Sequence, residues 1–322
     1  MNRIDPDHRV RVHGACAVSC HGGLCFAHPL FNLEDIMTMP LTIRPRAEDV
    51  EGQPILRPLP SAKCRSVGPF VFFDHMLQTS YKAGQGMNIR QHPHIGLSTL
   101  TYLFEGKLQH KDSLGSDQVV DAGDVSWMTA GSAIAHVERT PESLLGSDFV
   151  MHGLQVWLAS PQSHEQGPGH YSHHPAHTLP VSDNLGVKIR MIAGSGFCLE
   201  SPVPTLSPTL YAELHLQTAT TLLIPTEHEE RALYVLSGEA QLDGEPLEPH
   251  SLVVLPAGEQ MTLFADSDCH AVLFGGAPLD GPRRMNWNFV SSDPARIDEA
   301  RRRWAAGDWP TVPGESERIE LP

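Results

Sequence analysis

Two short strings hold the residues with which this chain could do chemistry. His92 and His94 stand two apart in QHPHIG, and His136 and Glu138 stand two apart in AIAHVERT. On a β-strand, residues i and i+2 share a face, so each pair presents its side chains together. If the two strands are neighbours, three imidazoles and one carboxylate meet at a point. That is a donor set for a first-row divalent metal with coordination positions left open. A lone H-x-H string more often decorates a surface than binds anything. Two such pairs, each beside apolar strand text, are harder to explain that way, because burying unpaired ionisable groups is costly. Either the four groups are exposed or they share a cation.

Other candidates carry less weight. His110 and Asp112 in QHKDSLG either orient a ligand imidazole or occupy a hairpin turn. Asp74 and His75 in FFDHM either line a barrel mouth or form a packed, hydrogen-bonded pair. His164, His170, His173, His174 and His177 make the densest histidine run, but irregular spacing in a Pro/Gly-containing connector marks them as surface. Trp127 and Met128 are expected to pack within or between domains. Cys16, Cys20 and Cys25 with His13, His21 and His28 lack the paired C-x2-C spacing of a structural zinc site. The simpler expectation is that residues 1–39 are a disordered extension, since regular patterning begins at Leu41. Cys64, Cys198 and Cys269 are scattered singly, as expected of reduced thiols in a cytoplasmic protein.

The elements that must position these residues are strands. The chain has 322 residues, 40% hydrophobic and 19% charged, with 27 Gly and 27 Pro, a globular composition rich in turns. Short apolar runs recur at even spacing: Phe70 to Phe73, Leu97 to Phe104, Val125 to Met128, Phe149 to Leu158 and Val187 to Ile192, then Tyr211 to Leu216, Thr220 to Ile224, Ala232 to Leu236, Leu252 to Leu255, Met261 to Phe264 and His270 to Phe274. Each is too short for a helix and rich in β-branched or aromatic residues, which predicts a sandwich or barrel. Between the two series, Pro161 to Pro180 is the candidate linker. One helix is predicted near the end, where Ser292 and Asp293 offer an N-cap ahead of Pro294 and the run Arg296 to Ala306. The formal net charge of −15 argues against nucleic acid or an anionic membrane surface as partner. No stretch approaches the ~20 apolar residues of a spanning helix.

The two halves repeat one design. YLFEGKLQHKD ends a strand at Gly106 and leads to VVDAGDVSWM, while YVLSGEAQLDG turns at Gly238 and leads to LVVLPAGEQMTL. Gly86, His92, His94, Thr99 and Gly106 fit the first cupin motif, with Thr99 where many cupins carry a glutamate. Gly123, Gly131 and His136 resemble the second, with Glu138 just beyond its histidine. A carboxylate absent from the first motif and present after the last histidine is the pattern of the pirin family. The strings RSVGPFVFFDHM, HPHIGLSTLTYLFEG, HKDSLG, GDVSWMTAG and HVERTP resemble its N-terminal domain, and NWNFVSS and GESERIELP its bacterial tail. The resemblance spans residues 41 to 322.

That resemblance implies an all-β fold of tandem cupin (double-stranded β-helix, jelly-roll) barrels with a short C-terminal helix: a metal-binding domain over 40–165 and a second over 181–322 without a metal site. It implies one divalent transition metal, Fe(II) first, with Cu, Ni, Co or Mn as alternatives, held by His92, His94, His136 and Glu138. The second half agrees independently: positions equivalent to the paired histidines are Ile224 and Thr226, and Leu263 replaces His136. His228, Glu229 and Glu230 are expected in a solvated turn. The activity implied is quercetinase, ring-opening dioxygenation of a flavonol with release of carbon monoxide, in which Glu138 also serves as general base. The competing implication is a metal- or redox-sensing regulator that binds a transcription factor or metabolic enzyme. A third is a cupin isomerase or hydrolase using the metal as Lewis acid only. An apolar cavity able to hold three rings would favour the enzyme.

Overall fold

The computed structural model describes residues 39–322. Residues 1–38, with the Cys16, Cys20, Cys25 cluster and nearly all of the expected extension, lie outside the described residues. From Leu41 onward the apolar runs form antiparallel strands gathered into two pairs of sheets, and the expected all-β class with tandem barrels and a short C-terminal helix is borne out.

In the first barrel a seven-stranded sheet runs in the order His170–His174, Val125–Thr129, Leu97–Glu105, Phe149–Ala159, Phe70–Tyr81, Gln53–Leu59, Arg46–Val50. Its partner is a four-stranded sheet, Asn88–His94, Ile134–Arg139, Lys107–Asp112, Asp117–Asp121. The second barrel repeats the scheme with an eight-stranded and a four-stranded sheet. Its core is almost wholly aliphatic, and Ile224 and Leu263 lie fully buried within it. The large sheets pack face to face. Phe70, Phe73, Tyr102 and Trp127 from the first meet Tyr211, Tyr234, Val272 and Phe274 from the second in one cluster. Phe274 sits 4.9 Å from Phe70 and 5.1 Å from Phe73, ring centre to ring centre.

Both ends of the described residues cross between the barrels. Leu41–Ile43 pairs with Leu252–Leu255 in the eight-stranded sheet. The C-terminal segment instead covers the four-stranded sheet of the first barrel. Its helix, Pro294–Ala306, starts where the Asp293 carboxylate accepts the Ala295 N–H and stops at Gly307 in a left-handed turn. Helical spacing puts Ile297, Ala300 and Trp304 on one buried face, which joins Phe289, Trp309 and Val312 against Ala135 and Val137.

Two readings of the sequence change here. The histidine-rich connector contains a strand, His170–His174, paired with Val125–Thr129, and His173 bonds Asp124 at 2.7 Å. It shows no alternation for a sequence reading to find, because at the sheet edge Tyr171 to His174 are all half-buried. His228 is buried, with Nε2 donating to the Ser195 carbonyl at 2.9 Å, so the TEHEER turn is not wholly solvated.

Between the barrels His75 is buried, with Nδ1 3.1 Å from the Tyr234 hydroxyl and Nε2 2.9 Å from His152 Nε2. Desolvation, then the neighbouring His152, His250 and His270, pushes it from 6.5 down to about 3. The unfolded chain therefore takes up this proton first. The stability tied to His75 is complete above about pH 6.5 and is lost as pH falls toward its folded value, with a slope up to about 1.4 kcal/mol per unit. Urea unfolding of His75→Gln should show a shallower loss of stability than wild type over that window; an unchanged slope would show that His75 does not contribute.

Candidate metal centre

The four-stranded sheet of the first barrel builds the centre by register. Ile134–Arg139 lies between Asn88–His94 and Lys107–Asp112, with His136 opposite His92 on one side and opposite Asp112 on the other. Glu138 faces His110 across the second pairing. Alternation along the strand sends His136 and Glu138 inward and leaves Ala135 and Val137 for the tail. The structure thus brings His92, His94 and His136 together, their ligand-capable nitrogens all within 4.8 Å of one another. Glu138 belongs to an adjoining group with His110 and His136. All five side chains are buried.

Hydrogen bonds set the tautomers. His92 Nδ1 lies 2.9 Å from the Arg90 carbonyl and His94 Nδ1 lies 3.2 Å from the Asn288 carbonyl. A carbonyl only accepts, so both Nδ1 atoms carry hydrogen and both Nε2 atoms present lone pairs. His110 Nε2 donates to Asp112 Oδ2 at 3.1 Å, and its Nδ1 lies 3.4 Å from His136 Nδ1. With His110 Nδ1 accepting, His136 Nδ1 donates and its Nε2 is also a bare lone pair. Two of these lone pairs, on His94 and His136, stand 3.1 Å apart. Neutral imidazoles so arranged repel unless a cation lies between them, which is how the donor set fits a divalent metal.

The electrostatics agree. Desolvation pushes His92 down to about 4 and holds His94 and His136 far below the usual histidine value, so all three imidazoles are neutral. Asp112 is raised by burial, but hydrogen bonds from His110 and Ser116 outweigh this and keep it ionised. Burial pushes Glu138 up, against the pull of His110, Thr101 and Gln155. Its Oε1 is held by the Thr101 hydroxyl at 3.2 Å and the Gln155 amide at 3.4 Å. Beside it is a small cavity of about 50 Å³, walled by apolar groups such as Ile55, Met76 and Leu108, with Asp74 and Gln53 among the polar ones.

Of the weaker candidates, His110 and Asp112 join the centre. Asp74 and His75 part onto opposite faces: Asp74, ion-paired with Arg57 at 2.6 Å and pushed up to about 6 by burial, lines the cavity. Four contributors escape a sequence reading. Tyr171, from the supposed connector, stacks on His110 with ring centres 4.3 Å apart. Gln155 and Thr101 gave no signal beyond inward parity on their strands. The Asn288 carbonyl is a backbone atom nearly 200 residues away in sequence from His94.

Comparison with known proteins gives a consistent picture. The Pirin domain matches residues 52–158 and the Pirin C-terminal cupin domain matches residues 211–310. A pirin-like protein of Caulobacter vibrioides is 42% identical over 266 residues, 81% of this chain and 91% of that protein. A crystal structure of quercetin 2,3-dioxygenase from Acinetobacter baumannii superposes with a TM-score of 0.82 at 31% identity, covering 88% of this chain and 95% of that one. A bacterial pirin of Escherichia coli, solved in complex with nickel(II), shares the fold at 19% identity, with a TM-score of 0.59 over 75% of this chain and 100% of that one.

The tail that supplies Asn288 is anchored by one buried carboxylate. Glu165 pairs with Arg283 at 2.8 Å, both almost fully enclosed, and accepts from Ser291, Ser292 and Arg296. Glu165→Ala leaves Arg283 with Asp280 and the Ser160 and Gly281 carbonyls but removes the buried acceptor of Ser291, Ser292 and Arg296, so the variant should lose about 1–3 kcal/mol of stability in denaturant unfolding. A loss within experimental error of zero would mean that the tail is held by its aromatic cluster alone.

Proposed function

The chain belongs to the pirin family, and from that membership we propose that it is a metal-dependent dioxygenase of the quercetinase type, acting on a flavonol-like substrate with dioxygen. The observation that carries the proposal is the set of three neutral imidazoles whose Nε2 lone pairs converge, beside a desolvated carboxylate that opens on an apolar cavity. His92, His94, His136 and Glu138 are the proposed ligands, with Fe(II) the first candidate and Cu, Ni, Co and Mn the alternatives. When bound, such a metal supplies Lewis acidity and redox chemistry toward dioxygen.

The chain's own residues do the rest. Glu138, made more basic by burial, takes the proton of a substrate hydroxyl, while Thr101 and Gln155 hold its Oε1 in place. His110 and Asp112 keep His136 in the tautomer that offers Nε2. Apolar walls exclude water from the reacting groups. The cavity of about 50 Å³ is smaller than the roughly 300 Å³ at which ligand pockets begin. Binding three rings therefore requires the cavity to widen, and the edge hairpin Arg46–Val50 and Gln53–Leu59 supplies Val50, Gln53 and Ile55 to its wall.

The same small cavity favours a second reading, a non-catalytic metal- or redox-sensing regulator that binds a transcription factor or metabolic enzyme. The net charge of −15 suits a protein partner better than nucleic acid. Among the described residues no helix is long and apolar enough to cross a membrane, and a cytoplasmic location is part of the proposal.

Elemental analysis of protein purified without added metal should find a transition metal that His94→Ala lacks; equal metal in both would refute the ligand assignment. Under air, protein loaded in turn with Fe, Cu, Ni, Co and Mn should consume quercetin and release carbon monoxide with at least one metal, and should do neither without oxygen. Per bound metal, Glu138→Gln should lower turnover by about 10²–10⁴-fold. Absence of carbon monoxide with every metal would leave the regulator reading standing in its place.

A further inference from the structure

A second set of donors converges outside both barrel interiors. Glu213 and His215 stand two apart on Thr209–Leu216 and share a face, and His270 on Cys269–Gly276 lies directly opposite His215. That face looks away from the second barrel's core: Leu214, Leu216 and Ala271, of opposite parity, fill the core, while Tyr211, Val272 and Phe274 pack between the barrels. The three residues therefore sit at the rim of the inter-barrel contact. Glu213 is enclosed and His215 is half exposed.

The arrangement is built rather than incidental. His215 Nε2 and His270 Nε2 approach the same oxygen, Glu213 Oε1, at 3.2 and 3.0 Å. The other oxygen accepts the Tyr102 hydroxyl at 2.6 Å, with Arg190 Nε 3.9 Å away, so the carboxylate is oriented from behind and Oε1 is left for the histidines. The two imidazoles stack with centres 4.2 Å apart and planes 13° from parallel, which suits two neutral rings and disfavours two charged ones. All three ligand atoms lie within 4.8 Å of one another. In a tetrahedral zinc site with bonds of about 2.0–2.1 Å, neighbouring donors are about 3.3 Å apart; the two Nε2–Oε1 distances are close to that, and a bound ion would take the place of the Nε2 hydrogens that here point at Oε1. A cleft of about 500 Å³ opens in front of His215 and His270, with Lys188, Asp183 and Asp268 on its walls.

We propose that Glu213, His215 and His270 form a second divalent-metal site of the Zn²⁺ class, with three protein ligands and a remaining position open to this cleft. It shares no residue with the centre in the first barrel and does not use the positions that the cupin repeat would supply, which in the second barrel are Ile224, Thr226 and Leu263. It would fasten two adjacent strands of the second barrel to a carboxylate that the first barrel orients through Tyr102. Three ligands with one open position are the arrangement of an exchangeable site rather than a closed structural one.

The test is stoichiometric and uses the full-length chain, stripped with a chelator and titrated with Zn²⁺ in competition with a chromophoric chelator. The double variant His215→Ala/His270→Ala should bind one equivalent fewer than wild type. The double variant His92→Ala/His94→Ala should lose a different equivalent and keep this one, and combining the four substitutions should lose both. Should the first double variant fail to fold, His215→Asn, altering a half-exposed side chain, gives the same readout as a loss of tight binding at one site. Equal stoichiometry and affinity in wild type and the His215 variants would overturn the proposal and leave the three residues as a hydrogen-bonded carboxylate and its two partners. Loss of an equivalent only on changing His92 and His94 would do the same while leaving the first centre intact.

Discussion

The pairing of Ile134–Arg139 with its two neighbours is the constraint on which the first barrel depends. With His136 opposite His92 and Glu138 opposite His110, the side chains of His92, His94, His110, Asp112, His136 and Glu138 fall on the inner face of the three strands. A slip of one residue would exchange this face for Ala135 and Val137, placing imidazoles under the tail and aliphatic groups at the centre. The bulge between His136 and Glu138 locally bends the strand, and the glutamate ends nearer His110 than the paired histidines. The register therefore decides which donors converge and also which groups adjoin the small cavity.

Holding three imidazoles neutral and correctly tautomeric takes groups from far along the chain. His94 depends on a backbone carbonyl of the C-terminal segment, and that segment is kept in place by Glu165, Arg283 and an aromatic cluster around Trp304 and Trp309. Trp309 and Val312 also bond directly to the histidine-bearing strands, through the Ile134 carbonyl and the Gln91 side chain. The tail is thus the outer wall of the first barrel's centre, although it follows the second barrel in sequence. Its removal would expose Ala135, Val137 and Ile95 and leave His94 without the acceptor that sets its tautomer.

The two barrels have diverged in what they bury. One encloses histidines and carboxylates, with a small void beside Glu138, and the other fills the equivalent space with leucine, isoleucine and methionine. Polar groups in the second half have instead gathered on its outer face, where Glu213, His215 and His270 meet Tyr102 of the first. The inter-barrel contact is consequently both the main aromatic core and the place where polar groups of the two copies touch, His75 with Tyr234 among them.

Local sequence was sufficient for whatever depends on periodicity. Most strand positions, though not the edge strand His170–His174, the helix with its Asp293 cap, the repeat, and the i, i+2 pairs His92/His94 and His136/Glu138 follow from alternation, turn residues and capping chemistry, which act over a few residues. The family resemblance followed from the same strings. What only the tertiary structure decided is what depends on register between distant strands: that Glu138 lies toward His110, that Asn288 sets the tautomer of His94, that Tyr171 stacks on His110, and that Asp74 and His75 serve different faces. The cavity beside Glu138 was equally invisible, because its volume is set by how an edge hairpin closes over the sheet. Glu213, His215 and His270 gave no local signal either, since His270 joins the others only through pairing of strands more than fifty residues apart.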